Sequence, residues 1–310
     1  MAGCNIYLIS TLLMMMRMTR YFLVAMVVWM PCLMHAQVPL RLSELLFQPR
    51  SGEAEYLELY NAGSVPVDLS DYIVIRWIGD SLGKHYTLPQ HEVAPHDYVV
   101  LTKDAASVTA NYTVKFAGKL VQCDLPPFPN DGGSVVLATK DSSVVEKFDY
   151  LPSMHSRLLR NKAGVALERR NLESDCNTPG NWFSAASTAG YGTPTYENSQ
   201  SNELLAEETH FELSSTLVSP DGDGYEDELI VSYSLDDNDI YARMLVYDAR
   251  GNQVCLLLDG GLLGSQGEVR WDGRGNGNTR LPQGRYVLYI NLYDLHGTKQ
   301  SIKRVVSIVY

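Results

Sequence analysis

The sequence predicts an all-β protein, two immunoglobulin-like β-sandwiches in tandem behind a secretory leader. Three observations carry this. Short apolar runs of period two, rich in β-branched and aromatic residues, recur along the chain between Gly, Asn and Asp turn clusters. At 310 residues the chain exceeds the size at which one core keeps growing, so two domains are expected. The N-terminal segment also differs from the rest: eight of the ten Met residues fall within residues 1–34, with two Arg and no acid. The expected boundaries are a leader over 1–36, a first sandwich over 37–196, a linker over 197–210 and a second sandwich over 211–310.

The leader reads as a secretory signal. Arg17 and Arg20 precede the apolar run from Tyr21 to Met30, and the small Ala36 precedes a polar start at Gln37. Cleavage between Ala36 and Gln37 is expected. From Tyr21 to Leu33 the run is too short to cross roughly 30 Å of hydrocarbon, so no integral membrane protein is expected after cleavage. Cys32 could suggest lipidation, but Trp29-Met30-Pro31 before it fits a lipoprotein signal poorly.

In the first sandwich, strands are expected around Leu40-Leu42-Leu45, Tyr56-Leu57-Leu59, Tyr72-Ile73-Ile75-Trp77, Tyr98–Leu101 and Val135–Leu137. Only Asp104–Ala110 and Met154–Arg160 could make a helical turn or two. The polar, acidic stretch from Tyr196 to His210 breaks the strand rhythm, which motivates the linker. Strand patterns then resume at Phe211, Leu229–Tyr233, Met244–Tyr247, Val254–Leu258, Val269–Trp271, Tyr286–Tyr293 and Ile302–Val309. Such closely spaced strands suit a smaller sandwich of immunoglobulin type.

Several motifs of the first domain are spaced as in a known family. These are Leu42-Ser43-Glu44-Leu45, Glu55–Asn61, Val67–Tyr72, Leu167-Glu168-Arg169, Asn181–Ala185 and Gly192-Thr193-Pro194. Together they resemble a bacterial lamin-tail domain, an immunoglobulin-like sandwich, with Ala166 where Ser is usual and Thr195 where a second Gly is expected. The resemblance implies a scaffold without catalytic residues. Glu58 and Asn61 are expected to satisfy loop backbone groups at a strand end, and Trp182 to plug the core. The second domain carries Ser219–Gly224, Tyr247–Gly251, Trp271-Asp272-Gly273 and Leu281–Tyr286. These resemble the immunoglobulin-like modules, of flagellar-hook-assembly and gliding-motility type, that end exported Bacteroidetes proteins. That resemblance implies engagement with the type IX secretion machinery.

Candidate sites are few. Asp221, Asp223, Glu226, Asp227 and Glu228 crowd into eight residues, and Asp221, Asp223 and Asp227 are the expected ligands of a calcium ion. The loop is not an EF-hand, because Gly falls at position 4 and Ser232 stands at position 12; a solvated turn is the alternative. No other cofactor is expected. Asp80-Ser81-Leu82 resembles a Bacteroidetes O-glycosylation site at Ser81. Ser81-Leu82-Gly83-Lys84 spells a penicillin-binding motif without its partner motifs. Gly273–Gly277 reads as a hairpin loop rather than a phosphate cradle, and His85, His91 and His96 as exposed loop residues. Of the exported cysteines Cys123, Cys176 and Cys255, the first two are the pair expected if a disulfide forms, and small buried hydrophobes are the simpler reading.

Composition narrows function. With 45% hydrophobic and 20% charged residues the chain is not disordered. Its 25 basic and 36 acidic residues give a net charge of −11, which argues against nucleic acid as a partner. The expectation is an exported, non-enzymatic protein that binds a protein or glycan of the cell envelope. It would be secreted or surface-exposed, with the periplasm as the alternative location. The alternative roles are a structural component of an envelope or secretion assembly, and an accessory module to a secreted hydrolase.

Overall fold

The computed structural model describes residues 39–78 and 81–310. The expected leader and its cleavage site at Ala36 and Gln37 lie outside the described residues. Nearly all regular structure is strand, as the period-two patterning requires, and the stretch from Val38 to Tyr310 forms one compact unit.

The first sandwich packs a six-stranded sheet on a four-stranded one. The larger sheet runs in the order Trp182–Ser184, Leu167–Arg169, Leu40–Leu46, Tyr56–Asn61, Tyr98–Thr102 and Leu120–Gln122. The smaller runs Val144–Tyr150, Gly133–Thr139, Tyr72–Ile78 and Ser81–Thr87. All pairs in both sheets are antiparallel except Tyr98–Thr102 with Leu120–Gln122. Alternate residues from both sheets (Leu42, Leu57, Leu59, Val74, Leu101, Leu137) form the core, and Trp182 stacks on Phe148 with ring centroids 3.8 Å apart. Trp182 is therefore the core plug the sequence suggests. Arg169 is buried beside it and donates to Leu42 O at 3.0 Å and to Glu146 Oε2 at 2.9 Å.

The second sandwich faces a three-stranded sheet (His210–Leu213, Leu229–Ser234, Gln266–Trp271) with a five-stranded one. The latter runs Leu217–Val218, Gly297–Ile308, Gly284–Asp294, Tyr241–Asp248 and Gln253–Leu262. Val231, Met244, Trp271, Leu288 and Val306 fill the space between.

Three local expectations meet different outcomes. Residues 105–111 form a helix, with Asp104 capping it by accepting from Ser107 N at 3.0 Å. Met154–Arg160 does not; only Pro152–Met154 makes a 3-10 turn. Of the linker expected over 197–210, Asn198, Ser199, Gln200 and Ser201 are buried, whereas Asn202, Glu203, Glu207 and Glu208 are exposed. The polarity of the buried residues misled because their side chains serve buried partners: Asn198 Nδ2 donates to Arg169 O at 2.9 Å, Ser199 Oγ accepts from Ala186 N at 2.9 Å, and Gln200 Nε2 donates to Leu263 O at 3.1 Å. Ser265 N and Oγ bond the main-chain carbonyls of Ser199 at 2.7 Å and Ser201 at 2.8 Å. Ser187 Oγ adds a bond to Leu262 O at 2.7 Å, and Thr188 Oγ1 meets Tyr233 Oη at 2.7 Å. Arg170 with Asp239 and Ser156 with Tyr241 complete a hydrogen-bonded seam between the sandwiches.

Candidate functional site

The outer face of the six-stranded sheet would ordinarily meet water. Here it is covered. The helix Ala105–Asn111 packs Val108 against Tyr56 and Val100, joined by Tyr112, Ala166 and Ala185. Beside this patch, residues 192–201 lie as a strap over a row of three glutamates.

That row is set by strand register. Glu44 pairs with Glu58 on one side and with Glu168 on the other. A bulge between Leu42 and Glu44 makes the row, because Ser43 is the extra residue that resets the alternation. Leu42 and Leu45 both reach the core, while Glu44 turns to the outer face. Like charges on facing cross-strand positions repel, and all three carboxyls are buried completely.

The strap supplies the donors. Glu44 Oε1 accepts from Tyr56 Oη at 2.7 Å and from Thr193 N at 3.0 Å. Glu168 Oε1 accepts from Thr193 Oγ1 at 2.9 Å, and its Oε2 from Ser199 Oγ at 2.7 Å and Gln200 N at 2.9 Å. Glu58 Oε2 accepts from Thr195 N at 2.7 Å, while its Oε1 has no partner among the described residues. Thr195 has a left-handed backbone, φ +80°, which a β-branched residue rarely adopts. This is the position where the lamin-tail resemblance calls for Gly. Two bonds hold Thr195 there, its N–H to Glu58 and its Oγ1 accepting from Phe116 N at 3.2 Å.

Burial, reinforced by the Glu168 charge, pushes the Glu44 carboxyl up to about 8. Burial also raises Glu58, with Glu44 adding to the effect, and raises Glu168. Tyr56 is raised by burial and by Glu44. At neutral pH Glu44 therefore holds its proton, which relieves the repulsion along the row. In the same sandwich, His155 is buried beside Ser184 Oγ at 2.9 Å, and burial lowers it to about 4, so it is neutral.

Asp221, Asp223 and Asp227 do converge, each offering an oxygen within 4.8 Å of the others. Asp227 accepts from Gly222 N at 2.6 Å and Gly224 N at 2.8 Å, and Asp223 from Tyr225 N at 2.8 Å, so the carboxylates also shape their own loop. Glu226 turns away to accept from Ser215 Oγ at 2.7 Å, and Glu228 pairs with Arg270. Ser81 opens the strand Ser81–Thr87, and its motif begins at Asp80, outside the described residues. Ser81 to Lys84 is strand, where the penicillin-binding motif requires the start of a helix. Arg274–Gly275 pairs with Thr279–Arg280, making the glycine-rich segment a hairpin. His85 and His96 are exposed and His91 is half-buried; His85 lies within a strand rather than a loop. Asn61 bonds Val65 O, Val93 O and Gly63 N, as a strand-end amide should. Cys123, Cys176 and Cys255 are free thiols; burial pushes Cys123 up to about 11 and Cys176 up to about 12. No disulfide joins Cys123 to Cys176.

The glutamate row, buried under a strap on an immunoglobulin-like sheet, lies in and beyond a segment similar to a known domain. Residues 34–151 match the Lamin Tail Domain. Glu44 and Glu58 lie inside the lamin-tail match, while Glu168 and the strap follow it. No curated protein matches the chain. Among solved structures, dimeric latent PorU from Porphyromonas gingivalis is 10% identical over 89% of this chain and 20% of its own, at a TM-score of 0.27. PorZ, a surface component of the type-IX secretion system of the same organism, is 12% identical over 86% of this chain and 30% of its own, at 0.26. The chain thus spans less than a third of the length of either structure. Among the described residues, no helix is long and apolar enough to cross a membrane.

The row itself was not visible in sequence reading. A Glu within each of Leu-Ser-Glu-Leu-Leu, Tyr-Leu-Glu-Leu-Tyr and Ala-Leu-Glu-Arg, amid apolar strand residues, is the signal that could have found it.

Proposed function

We propose that this is an exported, non-enzymatic interaction protein of the cell surface or extracellular space. Two immunoglobulin-like sandwiches act as one body and present their end loops to a protein or glycan partner. The observation that carries this is the seal over the glutamate row. The carboxyls whose acidity would suit acid–base chemistry are fully buried and hydrogen-bonded to the strap. They therefore hold the molecule together rather than meet a substrate.

The lamin-tail match supports a scaffold role for the first sandwich. The Ser219–Gly224, Trp271-Asp272-Gly273 and Leu281–Tyr286 motifs support a second role, in sorting by the type IX secretion machinery. The convergence of Asp221, Asp223 and Asp227 favours calcium in the second sandwich, because hard oxygen ligands on a Gly-rich loop suit its variable coordination. Crosslinking in intact cells, followed by identification of what is captured, tests the interaction reading. A screen of the purified protein on phosphoester, nucleic-acid and glycoside substrates should give no turnover. Metal-dependent turnover that survives repurification would overturn the reading.

A further inference from the structure

A cleft of about 440 Å³ opens on the surface where the two sandwiches meet, within the range of about 300–1,000 Å³ typical of small-ligand sites. The first sandwich lines it with Arg50, Arg160, Asn161 and Tyr191, and the second with Asp259 and Tyr293. Its charge runs against that of the chain. The net charge of the protein is −11, yet two guanidiniums face this space. Both acids beside them are already engaged, Asp259 Oδ1 lying 3.2 Å from Arg243 Nε and Glu53 Oε1 3.1 Å from the Arg50 guanidinium, which leaves Arg160 as the cleft's unpaired cation among the described residues. Arg160 is exposed and makes no hydrogen bond or ion pair among the described residues, although its charge is felt by the Tyr293 phenol.

The cleft walls are shaped to hold these groups. Arg50 lies across Gly164, where a Cβ would come within 2.6 Å of its Cζ, and Glu53 pairs with it at 3.1 Å. Tyr293 lies across Gly260 in the same way, a Cβ there falling 2.6 Å from its hydroxyl. Neither glycine has a Cβ, so both side chains rest directly on backbone, and the positive φ of both is a second reason glycine suits them. Tyr191 sits at φ +69°, in the left-handed region that a bulky residue occupies only when its surroundings enforce it. Its N–H donates to Ala186 O at 2.9 Å and its carbonyl accepts from Ala166 N at 2.9 Å, which fixes the strained turn.

We infer that this cleft binds an acidic saccharide, a pyranose bearing a carboxylate. The fork of a guanidinium matches a carboxylate in two parallel hydrogen bonds. The two tyrosines offer aromatic surface to the C–H face of a sugar ring, with their hydroxyls and the Asn161 Nδ2 left for ring hydroxyls, the Asn161 Oδ1 being held by Ala163 N at 3.0 Å. This deepens the reading of the protein as an exported binding module and rests on it for where such a ligand would be met.

Titration of the purified chain with digalacturonate, followed by calorimetry, tests the inference. Saturable binding is expected with a Kd below about 1 mM. Arg160→Ala should weaken it at least tenfold while leaving the melting temperature unchanged, because Arg160 is exposed and unpartnered. Arg160→Lys, which keeps the charge and loses the fork, should restore only part of the affinity. A neutral disaccharide and inorganic phosphate should each bind at least tenfold more weakly. The inference is overturned if digalacturonate does not saturate, if Arg160→Ala binds as the parent does, or if phosphate alone binds equally well. Failure here would leave the surface-exposed interaction reading intact, since that reading is decided by location in the cell and by what crosslinking captures.

Discussion

Raising the pH should destabilise this protein through its buried glutamates. Glu44 has an ordinary value near 4.5 when unfolded and about 8 when folded. A carboxyl raised on folding gives stability that is fully present below the unfolded value and lost as pH climbs through the folded one. Glu58 and Glu168 are raised too and act in the same direction. His155 acts oppositely. Lowered from 6.5 to about 4, it gives stability that is present above pH 6.5 and lost on acidification. The two effects oppose each other between about pH 4.5 and 6.5, so the informative window lies above. From pH 6.5 to pH 8, Glu44 alone should cost about 2 kcal/mol, at about 1.4 kcal/mol per pH unit. That corresponds to a fall of roughly 3–4 °C in melting temperature for a chain of this size. Stopping at pH 8 keeps the thiols out of the titration. Thermal melts in steps of half a pH unit, on the parent and on Glu44→Gln, provide the assay. Gln keeps an oxygen to accept from Tyr56 and Thr193 but cannot ionise, so the variant should show a much flatter slope. A parent melting temperature that holds or rises across this window would refute the reasoning, as would an equal slope in Glu44→Gln.

Three further outcomes follow from the same structure. Thr195→Gly and Thr195→Ala both delete the hydroxyl that accepts from Phe116 N, but only Gly relieves the left-handed backbone; Gly should be the more stable variant by about 1 kcal/mol in denaturant melts, and Ala matching it would show the turn to be unstrained. Trp182→Ala removes the ring stacked on Phe148 and should cost about 3–5 kcal/mol, read as a lower denaturant midpoint at unchanged slope. Millimolar calcium should raise the melting temperature, by about 2.7 kcal/mol of stabilisation at one hundred times Kd, and Asp221→Asn with Asp223→Asn should abolish the rise; identical melts in calcium and chelator would make the loop a solvated turn.

What could be read in the chain was local. Strand alternation, the Gly273–Gly277 hairpin and the Asp221–Asp227 loop each depend on residues a few positions apart, and each has the geometry its sequence implies. The glutamate row depends on long range. Glu44, Glu58 and Glu168 become neighbours only through strand register and a one-residue bulge, and their donors come from a strap some 150 residues beyond Glu44, as in the Thr193 N–H to Glu44 bond. The same distance explains the linker. Tyr-Glu-Asn-Ser-Gln-Ser is polar, as linkers are, but Asn198, Ser199 and Gln200 are polar in order to satisfy buried carboxylates and carbonyls. Thr195 was conspicuous in sequence as a departure from the expected Gly, and its positive φ is the physical reason Gly suits that site.

The central claim, an exported protein whose paired sandwiches act at the cell surface, is tested most directly by adding proteinase to whole cells and following the chain by immunoblot. The account predicts that the protein disappears while periplasmic markers survive. Persistence of the intact protein until the outer membrane is opened would contradict it.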